Sequence, residues 1–267
     1  MREAGRALRV VRASAANAMA DLRVVYTPVT WTFGWLGRIV MQVVFFALIG
    51  VLLDSPERLR FLFVGNAVMV TALEVMMCVA SSSWERKAGT LPLLVAAPTR
   101  LLPVFVGRSV QWLPSGVATA SVALFAVGPA FGVTWTPWRA VAAVGCLVVV
   151  AVSTYGFGLA VGAAVLGLPS LRNVSSNVAN TVMMLICGVM VPVSFWPGWV
   201  GATARALPLT HGVAAVRGLA GDAAPGEVLR DCGLALGVGA AWFLVAGLLF
   251  ERFAAAGRRT GSIDFAD

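Results

Sequence analysis

Apolar residues fall along this chain in long blocks, not at the spacing of a water-soluble domain. A hydrocarbon core about 30 Å thick takes roughly 20 mostly apolar residues as a helix. Six runs come near that length: 35–53, 61–83, 111–131, 139–166, 174–193 and 233–250. The fourth is long, and Gly156, Gly158 and Gly162 are places where it could tilt or break. The pattern predicts an all-α polytopic membrane protein, one domain over residues 1–267 with six transmembrane helices.

The first thirty-one residues carry a different period. At 100° per residue Leu8, Val11, Ala15, Met19 and Leu22 share an arc of about 80°, with Arg6, Arg9, Arg12 and Arg23 on adjoining and opposite arcs. That is an amphipathic helix lying flat on an anionic membrane surface. Pro28, Trp31 and Trp35 mark its passage into the first span, the tryptophans at headgroup depth. A signal peptide is excluded, because no uninterrupted apolar core follows the first Arg.

Composition agrees with this reading. The chain is 59% hydrophobic and 12% charged, where a soluble domain has about 45–50% and about 25%. An ordinary cytosolic enzyme, a disordered tail and a secreted disulfide scaffold are excluded. The net charge of +8 resolves into a topology. With six spans, thirteen cations fall on the side of both termini, six on the other, and Arg38 inside the first run. Positive-inside bias places both termini in the cytoplasm, in a multi-pass protein of the cell membrane. A nucleic-acid partner is not indicated, because the cations lie between apolar runs and not on one face. Nineteen of the twenty cations are Arg, which with the Ala, Gly and Val usage fits a GC-rich bacterial genome.

Several chemistries are missing from the sequence. His211 is the sole histidine, so there is no His-rich metal motif. Cys78, Cys146, Cys187 and Cys232 are scattered through or beside apolar runs without CxxC spacing, and read as packing residues. A P-loop needs Gly-Lys-Ser/Thr, yet the only lysine, Lys87, stands between Arg86 and Ala88. If ATP drives this protein, another polypeptide binds it.

Two segments between spans are unusually rich. Residues 84–100 run Trp-Glu-Arg-Lys-Ala-Gly-Thr-Leu-Pro-Leu-Leu-Val-Ala-Ala-Pro-Thr-Arg, a short polar–apolar helix stopped by Pro98. Pro92 is acceptable in a first helical turn, so this helix can begin near Leu91. Residues 194–219 are too apolar for a free loop and too broken by Pro and Gly for a span. Short helices dipping back from the outer side satisfy both constraints.

Together these segments resemble the type-2 family of ATP-binding-cassette exporter permeases, of the daunorubicin-export kind. The acidic–basic pair, Gly-Thr-Leu, Leu-rich stretch, Pro and basic residue of that family match Glu85, Arg86, Gly89, Thr90, Leu91, Leu94, Pro98 and Arg100, with Lys87 inside the same segment. Its Pro-Leu-Thr-His and Val-Arg-Gly-Leu stretches match Pro208–His211, with Thr210, and Val216–Leu219, with Arg217. The resemblance implies that residues 84–100 are a coupling helix docking on a separate nucleotide-binding ATPase, present in two copies. It implies a second permease subunit, identical or related, and outer helices capping the pathway between the two. This chain would then bind no cofactor and catalyse no reaction, with ATP and Mg on the partner. Its substrate would be hydrophobic or amphipathic: a drug, an antibiotic, a lipid or a lipid-linked glycan.

Two charges lie within the spans. Arg38 and Glu74 sit at matching depths, roughly 20 Å from the outer ends of the first two spans, and an intramembrane pair is one reading. The other has Arg38 reaching the cytoplasmic headgroups and Glu74 neutral or in a wet cavity. Glu74 also supports an alternative function, an ion-coupled secondary transporter, although inverted repeats are not visible in the sequence. A membrane enzyme ranks lowest, for lack of clustered titratable residues.

Overall fold

The computed structural model describes residues 2–25, 27, 29–81, 85, 89–97, 100–221 and 223–260, and among them every regular element is helical. Helix α1 covers Arg2–Val25. A π-helical stretch, Thr30–Leu36, leads into α2, Gly37–Leu52. Then come α3, Pro56–Val75, and α4, Met77–Ser81. Ser55 caps α3, its hydroxyl accepting from the Arg58 amide, and Pro56 and Glu57 fill the first turn, as a helix start favours. The short α5 is Leu91–Ala96; α6, Leu101–Ser109, and α7, Trp112–Val122, form one broken rod ending at Phe131. Beyond it lie α8, Pro137–Ala164, and α9, Arg172–Ile186. The chain finishes with α10, Gly198–Arg205, α11, Pro208–Ala220, and α12, Pro225–Thr260.

Five stretches among the described residues are long and apolar enough to cross a membrane: Thr30–Leu52, Pro56–Ser81, Leu101–Phe131, Pro137–Ala164 and Pro225–Arg259. The run expected at 174–193 folds differently. Helix α9 has 15 residues, about 22 Å at 1.5 Å per residue. It stops where Gly188 adopts a left-handed φ of +81°, a conformation suited to a residue without Cβ. Other expectations shift too: the third stretch begins at Leu101 and not at 111, and the last at Pro225 and not at 233. The fourth run is one unbroken helix despite its glycines. The expected tail at 251–267 is helical as far as Thr260, so α12 has 36 residues.

Helix α3 is buried on all sides from Leu62 to Ala72 and forms the centre of the bundle, as expected of a helix apolar all round. Helix α8 packs beside it, and α12 runs parallel to α8. A Cβ on Gly239 would lie 2.5 Å from the Ser153 Cα, and one on Gly156 would collide with the Gly239 carbonyl. These glycines set the closest helix approach. Gly233 and Gly237, spaced as GxxxG, face open space.

The two ends of the bundle hold different elements. At one end α1 lies on α6, where a Cβ on Gly107 would strike Ser14. Ser14 and Ala18 are buried there, while Leu8 and Met19, on the apolar arc predicted from the sequence, stay exposed. The last turns of α12 share this end, with Phe250 stacked on Phe105 and Phe253 beside Gly167. The opposite end holds the α2–α3 turn, the start of α8 and residues 187–193. Helix α9 carries the chain from the Phe253 end to the end where Gly188 meets Arg217.

Candidate functional site

Gly89, Thr90 and Leu91 shape the segment before α5. Gly89 takes a φ of +68° with nothing near its missing Cβ, so the turn uses its conformational freedom and not its size. Thr90 then folds back on Glu85. Its amide and hydroxyl both donate to the Glu85 carbonyl, at 2.9 and 3.0 Å, and the hydroxyl also reaches Glu85 Oε2. Leu91 is buried, Pro92 occupies the first turn of α5, and the Leu94 amide closes that turn on the Thr90 carbonyl at 3.0 Å. The helix begins at Leu91, as Pro92 suggests.

Glu85 is itself buried, and its Oε1 lies 2.6 Å from Nε of Arg108 on α6. Little water reaches this ion pair, so losing one partner costs far more than losing an exposed pair. At the far end of α5, Arg258 Nη1 donates to the Val95 carbonyl at 3.3 Å, filling one of the acceptors a helix C-terminus leaves open. Arg100 pairs with Glu251 at 3.7 Å with both side chains mostly exposed. Leu94 is half-buried against the core, and Leu93 stays 62% exposed on the outer face of α5. Arg86, Lys87 and Pro98 lie outside the described residues. Arg108 is not marked by the motif; its one signal in the sequence is a guanidinium ending an apolar run.

The second site is the helical hairpin α10–α11. Its tip lies against α12, where Trp242 donates to the Ala206 carbonyl at 2.7 Å and stacks edge-on against Phe157 of α8. Phe157 lies about 30 Å along α8 at 1.5 Å per residue. A helix ending at that depth has carbonyls that need donors. Pro208 opens α11, and the next residues supply two of the donors. Thr210 donates its hydroxyl to the Ala204 carbonyl, and His211 Nε2 lies 3.0 Å from the Arg205 oxygen. With Trp242, three consecutive carbonyls at the end of α10 are matched. Gly212 beside Val150 lets α11 sit flush on α8.

Arg217 anchors the other end of α11. Its Nη1 donates to the Gly188 carbonyl, its Nη2 to the carbonyls of Phe61 at 2.9 Å and Val189 at 3.0 Å, and its guanidinium lies 3.5 Å over the Phe61 ring. Burial lowers the pKa of this group from its ordinary value; three carbonyl dipoles and a π-face favour the cation in return. A Cβ on Gly65 would collide with the guanidinium, so that glycine makes its room. Phe61 also lines an open cleft of about 820 Å³ with Glu57, Arg58 and Met190. The sequence marked Arg217 but not the carbonyls it gathers.

The third polar cluster surrounds Glu74, fully buried on α3. Its carboxylate accepts from the Trp35 indole, from Ser115 at 2.9 Å and from Thr119 at 3.1 Å. Arg38 sits 5.0 Å over the Trp35 ring. Among the described residues no ion pair joins Arg38 to Glu74; the indole stands as intermediary. Three neutral donors replace the single cation that matching depth suggests.

No curated protein matches the chain. The family model described as ABC-2 type transporter matches residues 28–220, from the start of the first span to the end of α11. That range holds the Glu85–Arg108 joint, the Glu74 cluster and the Arg217 anchor. Proteins of this family are membrane components of transporters that generally dimerise and work with an ATPase subunit. The chain belongs to the ABC-2 type transporter family and is a multi-pass membrane permease of an ABC transporter.

Proposed function

We propose that this chain is the permease of an exporter of the daunorubicin-export kind. Two copies, or one copy with a relative, flank a pathway for a hydrophobic or amphipathic substrate. Two separate ATPase subunits bind ATP and Mg and dock on residues 84–100 at the cytoplasmic end. The observation that carries this reading is the exposed apolar face of α5, at Leu93, on a segment fixed from behind by Glu85–Arg108 and Arg258–Val95. A force applied to α5 thus has two routes into the bundle, one through α6 and one through α12. ATP-driven closure of the ATPase pair would move α5 and shift the permease between inward-open and outward-open states.

Parity supports a six-crossing topology with both termini in the cytoplasm. Helix α1, α5 and the last turns of α12 share one end of the bundle, which an odd number of crossings does not allow. Helix α9 is the sixth, short because Gly188 ends it before the outer surface. The hairpin α10–α11 is then an outer re-entrant cap. Asn173, Asn177 and Thr181 are exposed along one stripe of α9. Polar side chains are costly against lipid, so a second copy or a water-lined pathway would face them.

The test is a complex of this chain with its ATPase, reconstituted in lipid. The permease alone should hydrolyse no ATP. Glu85→Gln should leave the complex assembled while reducing substrate-stimulated ATPase activity about tenfold; unchanged stimulation would remove the coupling role of this segment.

A further inference from the structure

The sequence places Cys146 and Cys232 in separate apolar runs, yet their Sγ atoms lie 3.6 Å apart. The contact belongs to the parallel seam of α8 and α12. Seven residues after Cys146 and after Cys232, Ser153 meets Gly239 at the tightest approach of the two helices. Just beyond, Phe157 meets Trp242 with ring centroids 5.0 Å apart. A seam repeating every seven residues keeps parallel helices in one register, so the thiols are held opposite each other by packing on their inner side.

The outer side of the pair is near water. Arg230 and Asp231 directly precede Cys232, with Arg230 largely exposed. Trp138 and Arg139 lie two turns before Cys146, the Arg139 guanidinium 5.4 Å over the indole, a pairing suited to headgroup depth. Cys146 is buried and Cys232 only half-buried, which gives the pair one accessible and one sheltered sulfur. Cys78 and Cys187 are both fully buried.

We propose that Cys146 and Cys232 form an oxidation site that closes to a disulfide by exchange with a small-molecule disulfide on the side where α12 begins. The Cys232 thiol loses a proton and attacks one sulfur of the incoming disulfide, forming a mixed disulfide and releasing one thiolate. The Cys146 thiolate then attacks the Cys232 sulfur and expels the second. Two protons leave, two cysteine sulfurs are oxidised and the incoming disulfide is reduced to two thiols. A disulfide bond is about 2.05 Å long, so the two sulfurs, now 3.6 Å apart, must move closer for it to form. The bond would close a ring containing α9, α10 and α11 and pin the top of the α8–α12 seam. Its use in the cell rests on the proposed orientation, which puts this end outside, where disulfides persist.

The experiment exposes the purified full chain to oxidised glutathione, then alkylates the remaining thiols and maps peptides. The expected result is one cross-linked peptide joining Cys146 to Cys232, reversed by dithiothreitol and abolished by Cys146→Ser or Cys232→Ser. Both cysteines staying free, while Cys78 and Cys187 remain protected from alkylation as in a folded bundle, overturns the proposal. A second arm adds oxidised glutathione, which does not cross membranes, to intact cells. A bond in the purified chain but none in cells supports the site and overturns the orientation instead.

Discussion

The two ends of the bundle solve the same problem with different partners. Around α5 the buried charges are matched side chain to side chain, Glu85 to Arg108, with a weaker exposed pair at Arg100 and Glu251. Around α10–α11 no carboxylate takes part among the described contacts. There Arg217, Thr210, His211 and Trp242 are matched to backbone carbonyls of Phe61, Gly188, Val189 and residues 204–206. An acid–base pair can come apart and re-form as water comes and goes, which suits a joint worked by a partner. Carbonyls cannot leave their chain, so a hairpin held through them moves as a body. In the function proposed above, the contrast separates a hinge from a plug.

Arg217→Leu tests the plug with the largest expected effect. It leaves three buried carbonyls without their donor and should cost about 3–5 kcal/mol, read as loss of folded protein or a sharply lower unfolding midpoint in detergent. Arg217→Lys should recover less than half of that, because an ammonium neither fans across three acceptors nor stacks on Phe61. Equal stability of the two variants would mean that charge alone, not geometry, holds the hairpin.

On the hinge side, Glu85→Gln strands a mostly buried guanidinium and should cost about 2–3 kcal/mol. A double-mutant cycle with Arg108→Gln should return a coupling above roughly 1 kcal/mol. Additive losses would deny that the two residues act as one joint.

Thr210→Val removes a single donor from the end of α10 and should cost about 1 kcal/mol, with unfolding in denaturant as the readout. Arg100→Gln marks the lower limit. Its partner Glu251 is exposed, so the change in midpoint should stay within that of about 0.5 kcal/mol. If Arg100→Gln were as damaging as Glu85→Gln, burial would not be what separates the two pairs.

Much of this architecture is legible in hydropathy, because apolar blocks of about 20 residues admit few structures in a membrane. What the runs conceal is where a helix stops. Val174–Val193 reads as one block, but Gly188 turns left-handed within it and Pro192 follows. The end of α12 errs in the opposite sense: Arg252, Arg258 and Arg259 look like a tail, yet the helix continues through them. The motifs were visible in part. Gly89-Thr90-Leu91 and Pro208–His211 stand out because turns and caps are local chemistry. The partners of the neighbouring Glu85 and Ala206, Arg108 and Trp242, lie farther along the chain, and nothing local ties them to those motifs. The same holds for the two cysteines, whose meeting depends on the register of α8 against α12.

That register has a mechanical corollary in α12. The helix touches the hairpin tip through Trp242 and the α5 segment through Arg258, points about 24 Å apart along its axis at 1.5 Å per residue. No proline interrupts the 36 residues, so that spacing is fixed like the mark on a gauge. A thinner bilayer cannot shorten it; the helix must tilt instead. Tilting would swing the α5 contact sideways relative to the tip. Bilayer thickness thereby becomes a setting of this permease, and transport in vesicles of graded acyl-chain length should pass through an optimum.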